Sequence, residues 1–231
     1  PEEIMLNANE LAEGHEFFSV GGWAVSSGQN IIAYAVDTEG RRIHNTRFKD
    51  LSTGETLPEV LTRVTENLVW ANDNRTLFYG KQDETTLRQF QIYRHVVGTD
   101  PAEDPLVFQE DDETFVVYVF KTKSKRFLML VRSQTTSQEY RYLNADNPTG
   151  EFKVFLPRQR EHEYHIDHFQ ERFIIRTNDQ AKNFRLMWTL VEKPGKENWR
   201  EIVPHRLDVY LGDFELFRNH LVMEERARGL T

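Results

Sequence analysis

The chain has 231 residues, 39% hydrophobic and 29% charged, which is enough apolar mass for a folded core and too much for a disordered chain. Acidic side chains outnumber basic ones 37 to 29, for a net charge of −8, and no basic stripe of the kind that grips nucleic acid is present. There are no cysteines, which excludes disulfide frameworks, thiolate metal sites and cysteine nucleophiles. A cysteine-free chain suits a reducing compartment, and the cytoplasm is the expected location.

The start, Pro1-Glu2-Glu3-Ile4, has neither the basic region nor the apolar stretch of a secretory signal, and it lacks an initiator Met, so the chain is expected to begin inside a longer protein. No apolar run approaches the ~18 residues of a membrane span. In chain order, strand-like runs follow at Trp23-Ala24-Val25, Asn30-Ile31-Ile32-Ala33-Tyr34, Thr46-Arg47-Phe48 and near Leu57. A second set comprises Leu68-Val69-Trp70, Arg75-Thr76-Leu77-Phe78-Tyr79, Gln91-Ile92-Tyr93 and Leu106-Val107-Phe108. A third comprises 115–120, Arg126-Phe127-Leu128-Met129-Leu130, Tyr140-Arg141-Tyr142 and Lys153-Val154-Phe155. A fourth comprises 164–169, Arg172-Phe173-Ile174-Ile175-Arg176, Arg185-Leu186-Met187-Trp188 and Glu201-Ile202-Val203. A fifth stops after 209–217 and His220-Leu221-Val222-Met223-Glu224.

The second run of each set starts at 30, 75, 126, 172 and 220, so one pattern returns every 45 to 51 residues. Four short strands per unit of this length is the signature of propeller blades. Residues 31–36 and 127–131 are nearly continuous apolar runs, as expected for strands covered on both faces. A helical solenoid is the competing repeat class, and only residues 58–69 carry a faint helical spacing. The expected fold is therefore all-β: a partial β-propeller of about four and a half four-stranded blades. The whole of 1–231 forms one propeller fragment, with approximate blades at 17–57, 64–109, 113–157, 161–203 and an incomplete 207–231. An open ring leaves sheet edges that recruit another chain, so self-association is expected.

The residues that could carry chemistry read blandly. Ala24-Val25-Ser26-Ser27-Gly28 begins with Ala and leads into a strand, unlike a serine-hydrolase elbow, and Asp50-Leu51-Ser52-Thr53-Gly54 reads as a turn. Residues three apart on a strand face opposite ways, so His162, His165 and His168 are expected to be ordinary strand histidines rather than a metal site. Gly21-Gly22 leads into a strand, not into a phosphate-binding helix N-terminus. No cofactor or metal is expected. Lys121, Lys123, Lys125 and Arg126 read as a solvated hairpin turn. The acidic run Glu110-Asp111-Asp112-Glu113 joins the second and third sets and reads either as a solvated connection or as an attractor of basic peptides; Asp83-Glu84 is a weaker candidate of the same kind.

Several stretches carry a resemblance: Glu16-Phe17-Phe18-Ser19-Val20-Gly21-Gly22, Leu68-Val69-Trp70-Ala71-Asn72-Asp73, Tyr93-Arg94-His95-Val96-Val97-Gly98-Thr99, Lys121-Thr122-Lys123-Ser124-Lys125, Phe155-Leu156-Pro157-Arg158, His162-Glu163-Tyr164, Lys182-Asn183-Phe184 and the final Val222-Met223-Glu224-Glu225-Arg226-Ala227-Arg228-Gly229-Leu230-Thr231. Together, in this order, they resemble the propeller of the prolyl oligopeptidase family, most closely its oligopeptidase B branch. The resemblance implies a parent enzyme in which a seven-bladed propeller caps a C-terminal α/β-hydrolase domain, gates it by size, and admits short basic peptides for cleavage after Lys or Arg. This sequence lacks the hydrolase domain and about two and a half blades, so the chain alone is expected to be inactive. The alternative is a stand-alone protein-binding propeller, although no Trp-Asp dipeptide closes any blade.

Overall fold

A computed structural model describes residues 4–229. Among them the first sheet runs β1 (Ser19–Val25), β2 (Ile31–Asp37), β3 (His44–Asp50) and β4 (Thr56–Val64). The second is β5 (Leu68–Trp70), β6 (Thr76–Gln82), β7 (Gln89–Val96) and β8 (Leu106–Gln109). The third is β9 (Val116–Lys121), β10 (Phe127–Gln134), β11 (Ser137–Asn144) and β12 (Lys153–Val154). The fourth is β13 (Tyr164–Phe169), β14 (Arg172–Thr177), β15 (Arg185–Leu190) and β16 (Arg200–Val203). β17 (Val209–Leu216) and β18 (Leu221–Ala227) form a two-stranded antiparallel sheet. In each sheet the spatial order is the chain order, the meander that short hairpin connections dictate. Leu230 and Thr231, the end of the last resembling stretch, lie outside the described residues.

The repeat has a local cause. In three hairpins an amide bonds the carbonyl five residues on: Ser26 to Ile31, Ala71 to Thr76 and Thr122 to Phe127, at 2.8 to 2.9 Å. In each, the fourth residue is left-handed: Gln29, Asn74 and Lys125, with φ of 60° or 61°. This turn delivers the chain into the second strand, the run whose recurrence is visible in the sequence. In the four-stranded sheets the second strands are deeply buried, with 32–37 on β2 and 127–131 on β10 all buried.

The chain divides into two compact units, one of residues up to 121 with 144–150, the other of 122–143 with residues from 151 on. The first unit packs Ala33, Ala35 and Phe48 against Leu61, Val64, Leu68, Trp70, Leu77 and Tyr79. Each large side chain fully buried this way contributes about 1.5–3 kcal/mol. The Trp70 indole also donates to the Ala24 carbonyl at 2.9 Å, so the aromatic fills the core without stranding its N–H. In the second unit Ile174, Phe184 and Leu186 meet Leu211, Phe214 and Leu216.

One feature departs from the sequence reading, and one ambiguity in it is resolved. A four-residue helix, α1 (Ala8–Leu11), forms where no helix is expected, capped by the Asn7 side chain accepting from the Asn9 amide at 3.2 Å. The faint helical spacing at 58–69 is instead β4 followed by β5. Leu61, Val64 and Leu68 are all buried at spacings of three and four because the left-handed Arg63 (φ 56°) interrupts the strand alternation. Pro58 is tolerated because β4 is an edge strand and needs no amide there.

Candidate functional site

The two acidic stretches lie at the same end of the second sheet. Asp83 and Glu84 are in the β6–β7 loop, and residues 110–113 leave β8 beside it, since Gln82 pairs with Gln89 and Gln91 with Gln109. One side chain stitches them together. Arg88 Nη1 donates to the carbonyls of Glu110 and Asp112 at 3.3 Å and of Phe115 at 2.9 Å. The Glu110 amide returns a bond to the Phe90 carbonyl at 2.8 Å. All three carbonyls gather around this one nitrogen, whose two hydrogens they share and whose positive charge attracts each of them. No sequence pattern singles out Arg88; its role follows from the fold of the loop around it.

The four acids of the connection are not equivalent. Glu110 is 1% exposed, and its carboxylate accepts the Asp112 amide at 2.9 Å, so it serves the loop from inside. Asp111, Asp112 and Glu113 are exposed. Asp112 Oδ1 accepts from the Thr114 amide and hydroxyl, at 3.0 and 2.6 Å, and Asp111 Oδ1 accepts from Gln109 at 2.8 Å. A solvated connection is thus a partial description: three carboxylates face water and one is a buried bracket.

Asp83 and Glu84 are engaged differently. Asp83 accepts from the Thr86 amide and hydroxyl and from the Thr85 amide, which hold its carboxyl below the usual range. Glu84 is bound by the Arg63 guanidinium, which lowers its pKa as well. The positive charge of Arg63 offsets Glu84, so the negative charge at this end comes from Asp83 and residues 111–113.

The other singled-out residues fall as follows. Ser26 and Ser52 sit in hairpin turns, Ser26 bonded to Asn30 and Ser52 to Asp50. Gly21 and Gly22 lie inside β1, where a Cβ on Gly22 would come within 2.4 Å of the Glu66 carbonyl oxygen, so close backbone approach explains that glycine. The basic cluster is a hairpin turn, but its side chains are engaged rather than merely solvated. Lys121 Nζ donates to Asn72 and Ser27, Lys123 pairs with Glu215, and Arg126 bonds Glu171 at 2.8 Å. His162 and His168 are buried and His165 half-buried, and each has its own hydroxyl partner: Thr177, Ser124 and Tyr140 respectively. Among the described residues no group of three or more His, Asp or Glu is arranged to hold a metal ion. Nor is any helix among them long and apolar enough to cross a membrane.

Comparison with known proteins adds the family. Residues 1–231 match the profile described as "Prolyl oligopeptidase, N-terminal beta-propeller domain". The chain is 40% identical over 230 residues to dipeptidyl aminopeptidase BI of Pseudoxanthomonas mexicana, covering 99% of this chain and 32% of that protein. It is 30% identical to protease 2 of Moraxella lacunata, covering 100% of this chain and 33% of that one. Among solved structures, oligopeptidase B from Leishmania major superposes with a TM-score of 0.91 at 25% identity, over 98% of this chain and 32% of its own. The enzyme of the same name from Trypanosoma brucei superposes with a TM-score of 0.87 at 24% identity, over 98% of this chain and 32% of its own, and supports the fold. The chain spans about a third of the length of these relatives. With its four-stranded antiparallel meanders and a match along its full length, the chain belongs to the prolyl oligopeptidase N-terminal β-propeller family.

Proposed function

We propose that the chain is the gating and substrate-selecting propeller of a serine oligopeptidase that cleaves short peptides after Lys or Arg. The observation that carries this reading is the full-length superposition on oligopeptidase B at a TM-score of 0.91 and 25% identity. The catalytic groups then belong to a C-terminal α/β-hydrolase domain of the same protein, its partner in the fold, and the chain alone is catalytically silent. The nucleophile, base and oxyanion hole supply most of the rate enhancement in such enzymes, and none is expected in a propeller. A cysteine-free chain suits a cytoplasmic enzyme. Separated from its parent, the chain self-associates through edges such as β18, whose Leu221 and Val222 are exposed.

On this reading Asp111, Asp112 and Glu113 raise the encounter rate of cationic peptides, and Glu110 with Arg88 holds the loop that displays them. Opposite charge near an entry route acts on association more than on the chemical step. The test is kcat/KM for a dibasic peptide in the full-length protein, with Asp111 and Asp112 both changed to Asn. The expected loss is roughly threefold to tenfold at low salt and vanishes near ~1 M, where the Debye length is about 3 Å. An unchanged kcat/KM at low ionic strength refutes the steering role and leaves the connection a folded loop.

A second reading has its own support: the 40% identity to a protein named dipeptidyl aminopeptidase BI favours release of dipeptides from a free N-terminus. An N-terminally blocked Arg-containing peptide separates the two. Cleavage of the blocked peptide favours the oligopeptidase, and activity restricted to unblocked peptides favours the aminopeptidase.

A further inference from the structure

His162 lies just before β13, not on a strand as the sequence suggested, and His168 lies within β13; both tie it to its neighbours in the second unit. His162 Nε2 meets Thr177 Oγ1 of β14 at 2.8 Å, and its ring stacks on Tyr164 at 4.7 Å. His168 Nδ1 meets Ser124 Oγ at 2.8 Å, and its ring stands edge-on to Phe127 at 4.8 Å and to Phe173 at 5.6 Å. The two residues are 5% and 2% exposed. In each ring the other nitrogen, Nδ1 of His162 and Nε2 of His168, is buried without a hydrogen-bond partner. A neutral imidazole has one N–H and satisfies this arrangement; an imidazolium has two and does not.

We propose that these two rings make the fourth sheet an acid-labile element: protonation drives a second N–H into packing that offers it no acceptor at His162 and, at His168, only the Gln170 carbonyl that Arg126 already occupies, and β13 with β14 opens locally as pH falls below neutrality. The cost of stranding such a donor is what makes the opening favourable.

The charged groups around each ring oppose one another. At His162, Lys196 disfavours the cation and Asp179 favours it, but Asp179 already binds Lys196 at 2.6 Å and Arg185 at 3.3 Å. At His168, Arg126 disfavours the cation while Glu171 and the Gln170 carbonyl favour it. Arg126 already donates to both, at 2.8 Å to Glu171 and 3.3 Å to the Gln170 carbonyl. Burial outweighs these charges and pushes both rings down to about 4. His165, between them, is also lowered by burial, with Arg176 adding to the effect and Asp213 and Asp167 opposing it. It bonds the Tyr140 hydroxyl at 3.2 Å.

The folded pKa lies below the unfolded one, so the unfolded state binds more protons in the interval between them. Stability is therefore full above about 6.5 and is lost as pH falls toward about 4. At pH 5 the ratio of the two titration curves is roughly 30-fold per ring.

Histidine C2 hydrogen exchange, read by mass spectrometry, gives the titration midpoint of each ring in the chain or in its full-length protein. Amide exchange on peptides within 160–178 gives the opening of the sheet. Expected are midpoints below ~5 for His162 and His168, and at least a tenfold rise in opening of 160–178 from pH 7 to 5, after correction for intrinsic exchange. In a folded H162Q/H168Q variant, whose Gln side chains do not titrate, that rise should fall below about threefold. Midpoints near 6.5, equal protection at both pH values, or an unaltered rise in the double variant overturns the proposal. Should the double variant not fold, the wild-type midpoints decide.

Discussion

His95 in the first unit and His162 and His168 in the second are all buried, and they are housed in different ways. His95, on β7, is fully buried, with Nδ1 facing the Asp104 carboxylate at 2.9 and 3.1 Å. Asp104 also accepts the Tyr79 hydroxyl at 3.0 Å, and the Tyr79 ring stacks on Tyr93 at 5.6 Å. Burial, reinforced by the charge of Asp104, pushes the Tyr79 hydroxyl well above its usual range, so it remains a donor. His162 and His168 are as deeply buried, but their partners are hydroxyls. The contrast teaches that depth alone does not decide how a histidine behaves. A carboxylate offers the ring a countercharge, and a hydroxyl offers only a hydrogen bond.

The comparison is broken most forcefully at Asp104. Asp104→Asn keeps the shape but replaces the carboxylate that His95 and Tyr79 share, and hydrogen bonds to a charged group are worth up to about 3 kcal/mol. Urea unfolding at pH 7 measures it; a loss under ~1 kcal/mol means that the carboxylate is incidental to the second sheet. Next in size, taken one ring at a time, is the acid response of His162 and of His168, up to about 2 kcal/mol each at pH 5. Heating scans across pH 7 to 5 should show this loss, and it should shrink in the single variants H162Q and H168Q. Smaller still is Thr177→Val, which removes the hydroxyl from His162 at almost constant volume and should cost about 1 kcal/mol at neutral pH. Because burial and not this bond lowers the His162 pKa, its midpoint should stay below ~5 in that variant. A midpoint that returns to the ordinary range transfers the effect from burial to the hydroxyl.

Much of the fold was legible because it is local. The strands follow apolar runs bounded by turn residues, and the turn geometry recurs with the same spacing as the runs it introduces. A helix-like spacing intruded on the strand pattern at Arg63, whose left-handed conformation interrupts the alternation, yet the strands expected on either side are present. The acidic connection was legible as a connection and as acidic. That Glu110 points inward was not, because a run of like charges does not say which member finds a donor, and the donor here is the Asp112 amide within the loop itself. Arg88 was invisible for a related reason. Its partners are carbonyls at positions 110, 112 and 115, which any residue types would supply. The spacing of the three histidines argued against a shared metal, yet it did not announce that two of them lack a second partner. That fact depends on Thr177, Ser124 and the aromatic rings around them.

The hairpin turns that open the first and second sheets are alike, so the difference between those two repeats lies elsewhere. The connection from β3 to β4 occupies 51–55, whereas that from β7 to β8 occupies 97–105 and carries a 3₁₀ turn at Pro101–Glu103. The link from β4 to β5 is 65–67, whereas that from β8 to β9 is 110–115. Both longer segments hold residues of consequence, Asp104 in one and the exposed acids in the other. Loop length can therefore vary between one repeat and the next without disturbing the hairpin that starts each, and the longer loops are where the second repeat carries groups that the first does not.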